Sequence, residues 1–186
     1  MSFRDPCNTC ELNHFIFPGT FSPPTLGHLH VVKKIAEVVP QLTIVCSKNP
    51  DKEAWFTPEE CKTLWSSYVI PKNVGVTTIE AFTRAKQQLK QQLWQPERIV
   101  IVRGIRDASD FTHEAEVIRL NSERFHIDTY LYVLCDGTFK HISSSQAQKL
   151  AAVGDVAKLK EYVSEIIATT LIDRAEIRKL RRQDHE

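Results

Sequence analysis

Short apolar runs alternate along the chain with longer segments in which apolar residues recur at helical spacing. Five runs are rich in β-branched and aromatic residues, a composition that predicts strands buried on both faces. They lie at about 15–17, 42–46, 74–79, 99–102 and 129–134. Because strands and helical segments alternate, we expect an α/β fold: a Rossmann-like, doubly wound sheet of five parallel strands with helices on both faces.

Signals for helix starts and ends support this alternation. Apolar residues at helical spacing between the first two strands are Leu29, Val32, Ile35 and Val39. Residues 57–60, Thr-Pro-Glu-Glu, form a capping box with proline at the first helical position, so the second helix begins there. Further helices are expected at about 81–94, 109–125 and 145–153. Gly154 suits the left-handed position that ends the last of these helices.

The two ends of the chain are predicted to lie outside the sheet but within the same domain. Residues 1–13 form an N-terminal extension, whereas residues 155–186 contain no glycine or proline and predict one or two C-terminal helices. The apolar face of this tail is predicted to comprise Val156, Leu159, Val163, Ile166 and Thr170. No linker or internal repeat interrupts the chain, so we expect residues 1–186 to form one domain.

Composition narrows the class of partners. Hydrophobic residues make up 42% and charged residues 25% of the 186 residues, which excludes a disordered or membrane-embedded chain. With 24 basic and 23 acidic residues the net charge is +1, so neither nucleic acid nor a membrane is an expected partner. The 5 scattered cysteines, which include Cys7 and Cys10, fit reduced thiols in a cytoplasmic protein, and no metal site is predicted from them.

Candidate chemistry collects where the predicted strands end, which is where open parallel sheets bind ligands. After the first strand, Thr25, Gly27 and His28 bring hydroxyl, amide and imidazole donors to the start of a helix. Such donors can converge on one anion. The nearby Gly19 allows close approach of the backbone to that anion.

Further donors follow the other strands. Arg103 and Arg106, after the fourth strand, are fork-shaped cations that suit phosphate oxygens. Residues 143–145 place three serine hydroxyls at a helix start, and Lys52 follows the second strand. Each feature alone fits a turn, a helix cap or a surface ion pair, but their joint position at one sheet edge favours a polyphosphate site. The chain has neither a GxGxxG nor a GxxxxGKS/T pattern, which argues against a dinucleotide redox fold and a phosphate-loop kinase.

Four ordered motifs between residues 14 and 155 resemble a known family. The run PGTFSPPTLGHLHVV is similar to the T/HxGH signature of nucleotidyltransferases. NPDKEAWFTPEE, VRGIRDASDFTHE with the later Asn121, and ISSS resemble bacterial-type phosphopantetheine adenylyltransferases in particular. The resemblance implies transfer of the adenylyl group of ATP to 4′-phosphopantetheine, which yields dephospho-coenzyme A and pyrophosphate. It also implies Mg²⁺ on the triphosphate, with few or no protein ligands, and a homo-oligomer, usually a hexamer in this family.

The resemblance assigns roles position by position. It implies that His28, Lys52 and Arg106 are catalytic. The implied ATP-binding residues are Thr20, Phe21, His28, Gly104, Ile105, Arg106, Glu114, Phe139, Lys140, His141, Ile142, Ser143, Ser144 and Ser145. The implied substrate-binding residues are Thr20, Lys52, Arg103 and Asn121, of which Lys52 and Arg103 would hold the phosphate of phosphopantetheine.

Some positions depart from the family pattern. Ser22 stands where the family usually has an acidic residue or asparagine, and His113 replaces a tyrosine. Residues 77–95 lack the glycine, acid and leucine pattern that grips pantetheine. Two alternatives therefore stay open: a nucleotidyltransferase with another phosphorylated acceptor, such as nicotinamide mononucleotide, and a catalytically silent paralogue that binds a nucleotide or coenzyme A.

Overall fold

The computed structural model describes residues 13–50, 53–90, 98–108, 110, 114, 118, 119, 122, 123, 127 and 129–183. Strands within these ranges are β1 (Asn13–Gly19), β2 (Leu42–Cys46), β3 (Val74–Thr78), β4 (Arg98–Ile105) and β5 (Thr129–Leu134). β1 and β4 extend beyond their apolar runs. In β4 the extension includes Arg103 and Gly104, which pair with β5. Such pairing uses backbone groups only, so the polarity of a side chain does not end the strand.

The strands form one sheet in the order β3-β2-β1-β4-β5. Each pair of neighbouring strands is parallel. The strand order reverses between β1 and β4, so the carboxyl ends of these two strands form the topological switch point. The predicted Rossmann-like parallel sheet is confirmed.

Helices described over continuous ranges are α1 (Leu26–Ala36), α2 (Pro58–Trp65), α3 (Ile79–Lys90), α4 (Ser144–Val153), α5 (Val156–Leu159) and α6 (Glu165–Gln183). The predicted capping box is present, because the N–H of Thr57 donates to a Glu60 carboxylate oxygen at 2.7 Å and the N–H of Glu60 donates to Oγ1 of Thr57 at 3.2 Å. Gly154 adopts a φ of 76° at the end of α4, as predicted.

Helices cover both faces of the sheet. One face packs into the main core with α1, α2 and the tail helices, where Val32, Trp65 and Leu171 are fully buried. A smaller cluster on the opposite face consists of Ile16, Val45 and Ile101. Phe82 of α3 packs against it. Burial of a large apolar side chain contributes about 1.5–3 kcal/mol, so these two layers fix the sheet and its edges.

The prediction that every strand is buried on both faces is wrong for the edge strands. Gly75 of β3 is exposed, and Leu134 at the end of β5 is 69% exposed. Each edge strand has a neighbouring strand on one side only, so its outer side lies closer to solvent. Burial on both faces holds best for the central strands β1, β2 and β4.

The C-terminal tail forms two helices, but the predicted apolar face is wrong in part. Leu159 and Val163 are buried as predicted, whereas Val156 and Ile166 are 42% and 63% exposed. The buried positions of α6 include Ile167, Leu171 and Ala175. The non-helical residues between α5 and α6 shift the helical phase, so one period does not run through the whole tail.

Several sequence predictions concern residues outside the described ranges. These include the extension before residue 13 with Cys7 and Cys10, as well as Lys52 and Asn121. Of the helix predicted at 109–125, the described residues are 110, 114, 118, 119, 122 and 123, and each of them is helical.

Candidate functional site

A cavity of about 780 Å³ opens at the carboxyl ends of β1 and β4. Its lining comes from the loop after β1, the start of α1, the loop after β2, the end of β4 and the start of α4. The predicted site residues that line it are Thr20, Phe21, His28, Arg103, Gly104, Arg106, Glu114, Phe139, Ile142, Ser143, Ser144 and Ser145. The structure therefore brings side chains from four separate stretches of sequence to one site.

Three residues that the resemblance assigned to ATP do not line this cavity. Ile105 is 2% exposed and belongs to the buried part of β4. Lys140 and His141 are exposed, and the His141 ring meets the Tyr162 ring edge-on with the centroids 5.3 Å apart. The turn between Phe139 and Ile142 carries these two side chains away from the lining, so the cavity gives no support to their assignment.

The imidazole of His28 is fixed by the first turn of α1. The backbone N–H of Thr25 donates to Nδ1 of His28 at 3.1 Å, and Oγ1 of Thr25 lies 3.0 Å from the same nitrogen. In return the N–H of His28 donates to Oγ1 of Thr25 at 3.4 Å, which completes a capping box. Because an amide N–H can only donate, Nδ1 is an acceptor and the proton of the neutral ring resides on Nε2.

The ring of Phe21 packs against the His28 ring. The two centroids are 5.0 Å apart and the planes nearly perpendicular, at 89°. Phe21 has a φ of 45°, in the left-handed region that residues with a side chain rarely adopt. A Cβ at Gly19 would lie 2.7 Å from the Phe21 ring, so glycine is required where the strand ends. Glycine at residue 19 thus lets an aromatic ring orient the imidazole.

Ser22 joins the loop after β1 to the loop after β2. Its Oγ accepts hydrogen bonds from the backbone N–H groups of Trp55 at 2.9 Å and Phe56 at 3.0 Å. The backbone carbonyl of Ser22 accepts from Nε2 of Gln148 in α4 at 2.6 Å. Ser22 is 4% exposed; its hydrogen bond from the Phe56 amide is buried, and those from Trp55 and Gln148 are half-buried. Although serine departs from the family residue at position 22, it still ties the loop after β1 to its neighbours.

Arg106 forms a bidentate pair with Asp110. Nε and Nη2 of Arg106 donate to the two carboxylate oxygens of Asp110 at 3.0 and 2.8 Å, and the N–H of Arg106 also donates at 2.9 Å. The hydrogen bonds from Arg106 hold the pKa of Asp110 below its usual range. The same carboxylate raises the pKa of Arg106, so this guanidinium stays charged at the cavity wall.

Arg103 forms a second arginine–carboxylate pair, deeper in the site. Nε of Arg103 donates to Glu114 at 2.8 Å, and Nη2 donates to the other oxygen of the same carboxylate. Nη1 of Arg103 donates to the carbonyl of Pro18 at 3.4 Å. Glu114 is 5% exposed, a burial that a charged carboxylate tolerates because it is fully paired. The two residues predicted to bind different substrates thus bind each other.

The start of α4 contributes hydroxyl groups and is tied to the loop after β1. Oγ of Ser143 accepts from the N–H of Gln146 at 3.2 Å and caps the helix. Oγ of Ser144 donates to the carbonyl of Pro23 at 2.8 Å. The helix N-terminus adds a partial positive charge beside these hydroxyls, a combination that suits phosphate.

The Phe139 side of the cavity is held by α1. The ring of His30 stacks on Phe139 with the centroids 4.4 Å apart. Nζ of Lys34 donates to Asp136 at 3.0 Å, and Nε2 of His30 lies 3.1 Å from the other oxygen of that carboxylate. From the sequence alone, His30 is interpreted as a surface or core-edge histidine, because its partners Phe139 and Asp136 lie far from it along the chain.

Sequence reasoning assigned no role to other residues of the site, although some of them lie within the quoted motifs. Asp110 could have been found, because it lies one helical turn after Arg106. Residues of the loop after β2 that line the cavity are Ser47, Lys48, Asn49, Pro50 and Glu53. Their position after a parallel strand is the signal that could have found them. Gln148 also lines the cavity and carries no such signal.

The lining chemistry suits anions. Its cationic or hydroxylic members include His28, Arg103 and Arg106 together with the serines of α4. Among the described residues, no three His, Cys, Asp or Glu side chains are grouped so as to hold a metal ion. In the same part of the chain, none of the helices has the length and apolar character needed to span a bilayer.

Comparison with known proteins identifies the family. A family model of cytidylyltransferase-like proteins matches residues 16–150, which contain both the His28 turn and the serines of α4. The chain belongs to the cytidylyltransferase-like family. The enzyme class predicted for the chain, a nucleotidyltransferase, is thereby confirmed.

Curated relatives support a narrower grouping. The chain is 30% identical over 166 residues to a phosphopantetheine adenylyltransferase of Leuconostoc mesenteroides, with 88% of this chain and 97% of the relative covered. It is 32% identical over 151 residues to the phosphopantetheine adenylyltransferase of Oenococcus oeni, with 81% and 90% covered. The resemblance stated from the four motifs is therefore confirmed.

Solved structures support the fold. Nicotinic acid mononucleotide adenylyltransferase of Plasmodium falciparum, complexed with NaAD, superimposes with a TM-score of 0.63 at 20% identity, covering 87% of this chain and 95% of that one. A protein described as a putative nicotinate-nucleotide adenylyltransferase, from Vibrio parahaemolyticus, gives 0.59 at 19% identity, with 89% and 96% covered. At this identity the likeness extends to the architecture alone.

Proposed function

We propose that this chain transfers the adenylyl group of ATP to 4′-phosphopantetheine and releases pyrophosphate, forming dephospho-coenzyme A. The observation that carries the proposal is that His28, Arg103 and Arg106 line one cavity with the serines of α4. The named activity of the curated relatives supports the choice of acceptor.

The reaction needs alignment more than it needs a protein nucleophile. A phosphate oxygen of the acceptor attacks the α-phosphorus of ATP, and a new P–O bond forms. The bond from that phosphorus to the oxygen bridging the β-phosphate breaks, and pyrophosphate leaves with the electron pair. Because the attacking oxygen is already anionic, the protein has to hold two anions in line and stabilise the charge that develops between them.

His28 is suited to stabilise the α-phosphate. Its Nδ1 accepts from the Thr25 amide, so the neutral ring presents a proton on Nε2. A hydrogen bond from Nε2 to a non-bridging α-phosphate oxygen would strengthen as charge accumulates there. The contacts with Thr25 and Phe21 set the direction of this donor before any substrate binds.

The two arginines and the start of α4 would hold the phosphate groups on either side of the reacting α-phosphorus. Arg106 and the hydroxyls of residues 143–145, which line the cavity, would bind the β- and γ-phosphates of ATP. Arg103, with Lys52 as the resemblance implies, would bind the acceptor phosphate. The predicted contact of Glu114 with the nucleotide would have to share carboxylate oxygens that already accept from Arg103.

Mg²⁺ would enter the site on the triphosphate of ATP and offset part of its negative charge. The carboxylates among the described lining residues are Glu53, Asp110 and Glu114, and each pairs with an arginine. This pairing supports a metal ion held by phosphate oxygens and water.

A homo-oligomer, a cytoplasmic location and a single working domain also stay predictions. The single domain is supported by a main core that includes both sheet and tail.

An acceptor panel tests the proposal. The purified chain is incubated with MgATP or MgCTP and either 4′-phosphopantetheine, nicotinamide mononucleotide, nicotinate mononucleotide or glycerol phosphate, and pyrophosphate release is measured. We expect release with ATP and phosphopantetheine, and dephospho-coenzyme A in the product mass spectrum. Pyrophosphate release with a different acceptor, and none with 4′-phosphopantetheine, would show that the proposed acceptor is wrong. ATP binding by calorimetry without release on any acceptor would identify a silent nucleotide-binding paralogue.

A further inference from the structure

The C-terminal helix α6 contacts the cavity wall that is formed by the loop after β2. Arg178 of α6 forms an ion pair with Glu53, which lines the cavity. The guanidinium carbon of Arg178 also lies 5.1 Å from the centroid of the Trp55 ring, a cation–π distance. One arginine therefore holds both a carboxylate and an aromatic ring of the same short segment.

A second arginine, one turn earlier on α6, repeats this arrangement. Arg174 forms an ion pair with Glu60, and its guanidinium carbon lies 4.9 Å from the centroid of the Phe56 ring. Glu60 is also the acidic member of the capping box that starts α2. The hydrogen bond from the backbone of Thr57, with the Arg174 contact, lowers the pKa of Glu60. Residues 53–60 are thus attached to α6 at two successive points.

The same segment is held from the opposite side by the loop that positions His28. Oγ of Ser22 accepts from the backbone N–H groups of Trp55 and Phe56, and these are the residues whose rings face the two arginines. The segment lies between the loop after β1 and the C-terminal helix. Its placement at the cavity therefore depends on α6 as well as on the loop after β1.

We propose that Arg178 and Arg174 are positioning residues for the acceptor side of the site, through which α6 sets acceptor affinity without touching substrate. This inference rests on the proposed function, because Lys52, assigned by resemblance to the acceptor phosphate, immediately precedes Glu53 in the sequence. Glu53 is 67% exposed in its side chain. Exposed ion pairs contribute little to overall stability, so we expect a variant that lacks this contact to fold like the wild type.

Amide exchange and steady-state kinetics on Arg178→Gln test the proposal. We expect the amides of Trp55 and Phe56 to exchange faster in peptides covering 53–60. The KM for phosphopantetheine should rise on the order of tenfold, while the KM for ATP and the kcat change by about twofold or less. Arg178→Lys keeps the charge but not the planar group, so it should restore acceptor KM in part. The matched control is Arg181→Gln, which removes an exposed arginine from the same helix and should leave exchange and both KM values unchanged.

Two results would overturn the proposal. One is wild-type exchange at residues 53–60 in Arg178→Gln, since the segment would then keep its position without the arginine. The other is an equal rise in both KM values with a lowered Tm, which indicates a general structural role. If the wild-type chain uses a different acceptor, the proposed function fails by itself, and the same comparison with that acceptor still decides the role of Arg178. The exchange measurement needs no substrate at all.

Discussion

The two walls of the cavity are held in different ways. The wall that carries His28 is fixed by hydrogen bonds between uncharged groups, such as the Thr25 amide on Nδ1 and the amides of residues 55 and 56 on Ser22. The β4 wall is fixed by ion pairs, Arg103 with Glu114 and Arg106 with Asp110. An incoming phosphate competes with carboxylates for the two arginines, whereas the hydrogen bond from the Thr25 amide engages Nδ1 and orients the His28 ring. The first wall is therefore preorganised, whereas the second must share its contacts with substrate.

The largest effect is expected on the preorganised wall. His28→Ala removes the donor aimed at the developing charge, so kcat should fall by about 10²–10³. ATP affinity, measured by calorimetry, should weaken only modestly, because the interaction is made mainly in the transition state. His14→Gln, at the other end of β1, is the control and should retain activity. Equal turnover in wild type and His28→Ala would remove His28 from the mechanism.

The next effect tests the ion-paired wall. Arg106→Gln should lower kcat/KM for ATP by roughly 10- to 100-fold, the value of one or two charge-assisted hydrogen bonds. Asp110→Asn keeps the shape of the partner but loses its charge, so the guanidinium is less well oriented and kcat/KM should fall only about two- to fivefold. Steady-state kinetics with varied ATP distinguish the two variants. A loss with Asp110→Asn as large as that with Arg106→Gln would mean that the carboxylate itself acts on the substrate.

A smaller effect, on stability, tests the loop contacts of Ser22. Ser22→Ala removes the acceptor of the buried Phe56 amide and of the half-buried Trp55 amide, which should lower the free energy of unfolding by about 1–3 kcal/mol. Ser66→Ala is the matched control, since the exposed Ser66 hydroxyl donates to one carbonyl at the end of α2 and water can replace it. Urea titrations of both variants measure the difference. A change in Ser22→Ala no larger than that in Ser66→Ala would contradict this role.

The smallest effect is on pH dependence. The pKa of Asp110 is lowered in the folded chain by Arg106, so the unfolded chain takes up the proton first as the solution is acidified. The stability from this pair is fully present above the ordinary carboxyl pKa of about 3.9 and is lost as the pH falls through the lower folded value. Tm measured from pH 7 to pH 3 should therefore fall less steeply for Asp110→Asn than for wild type. Parallel Tm curves would show that the pair does not affect stability.

Most of the fold could be predicted because its signals are local. Alternating apolar runs, the capping box at residues 57–60 and the glycine at residue 154 each act within a few residues. The phase of α6 could not be predicted, since the break before Glu165 moves the buried face from Ile166 to Ile167. That shift depends on how the intervening residues turn, which the apolar pattern does not record.

The sequence predicted which residues belong to the candidate site better than it predicted the contacts among those residues. Position after a parallel strand and the family motifs brought out His28, Arg103, Arg106 and the serines of α4. The pairing of Arg103 with Glu114 joins the end of β4 to a residue 11 positions later along the chain. Likewise, the contact of Ser22 with Trp55 joins loops that are separated by a strand and a helix. Such contacts follow from tertiary packing and leave no periodic signal.

The loop after β1 takes many of its partners from the last part of the chain. Pro23 accepts from Ser144, and Leu26 donates to the carbonyl of Tyr162 at 2.8 Å. On the ribosome, residues 13–36 emerge long before these partners exist, and the segment near Trp55 must wait for Arg178. The contacts that tie this loop to the last part of the chain can therefore form only after those later residues have been translated.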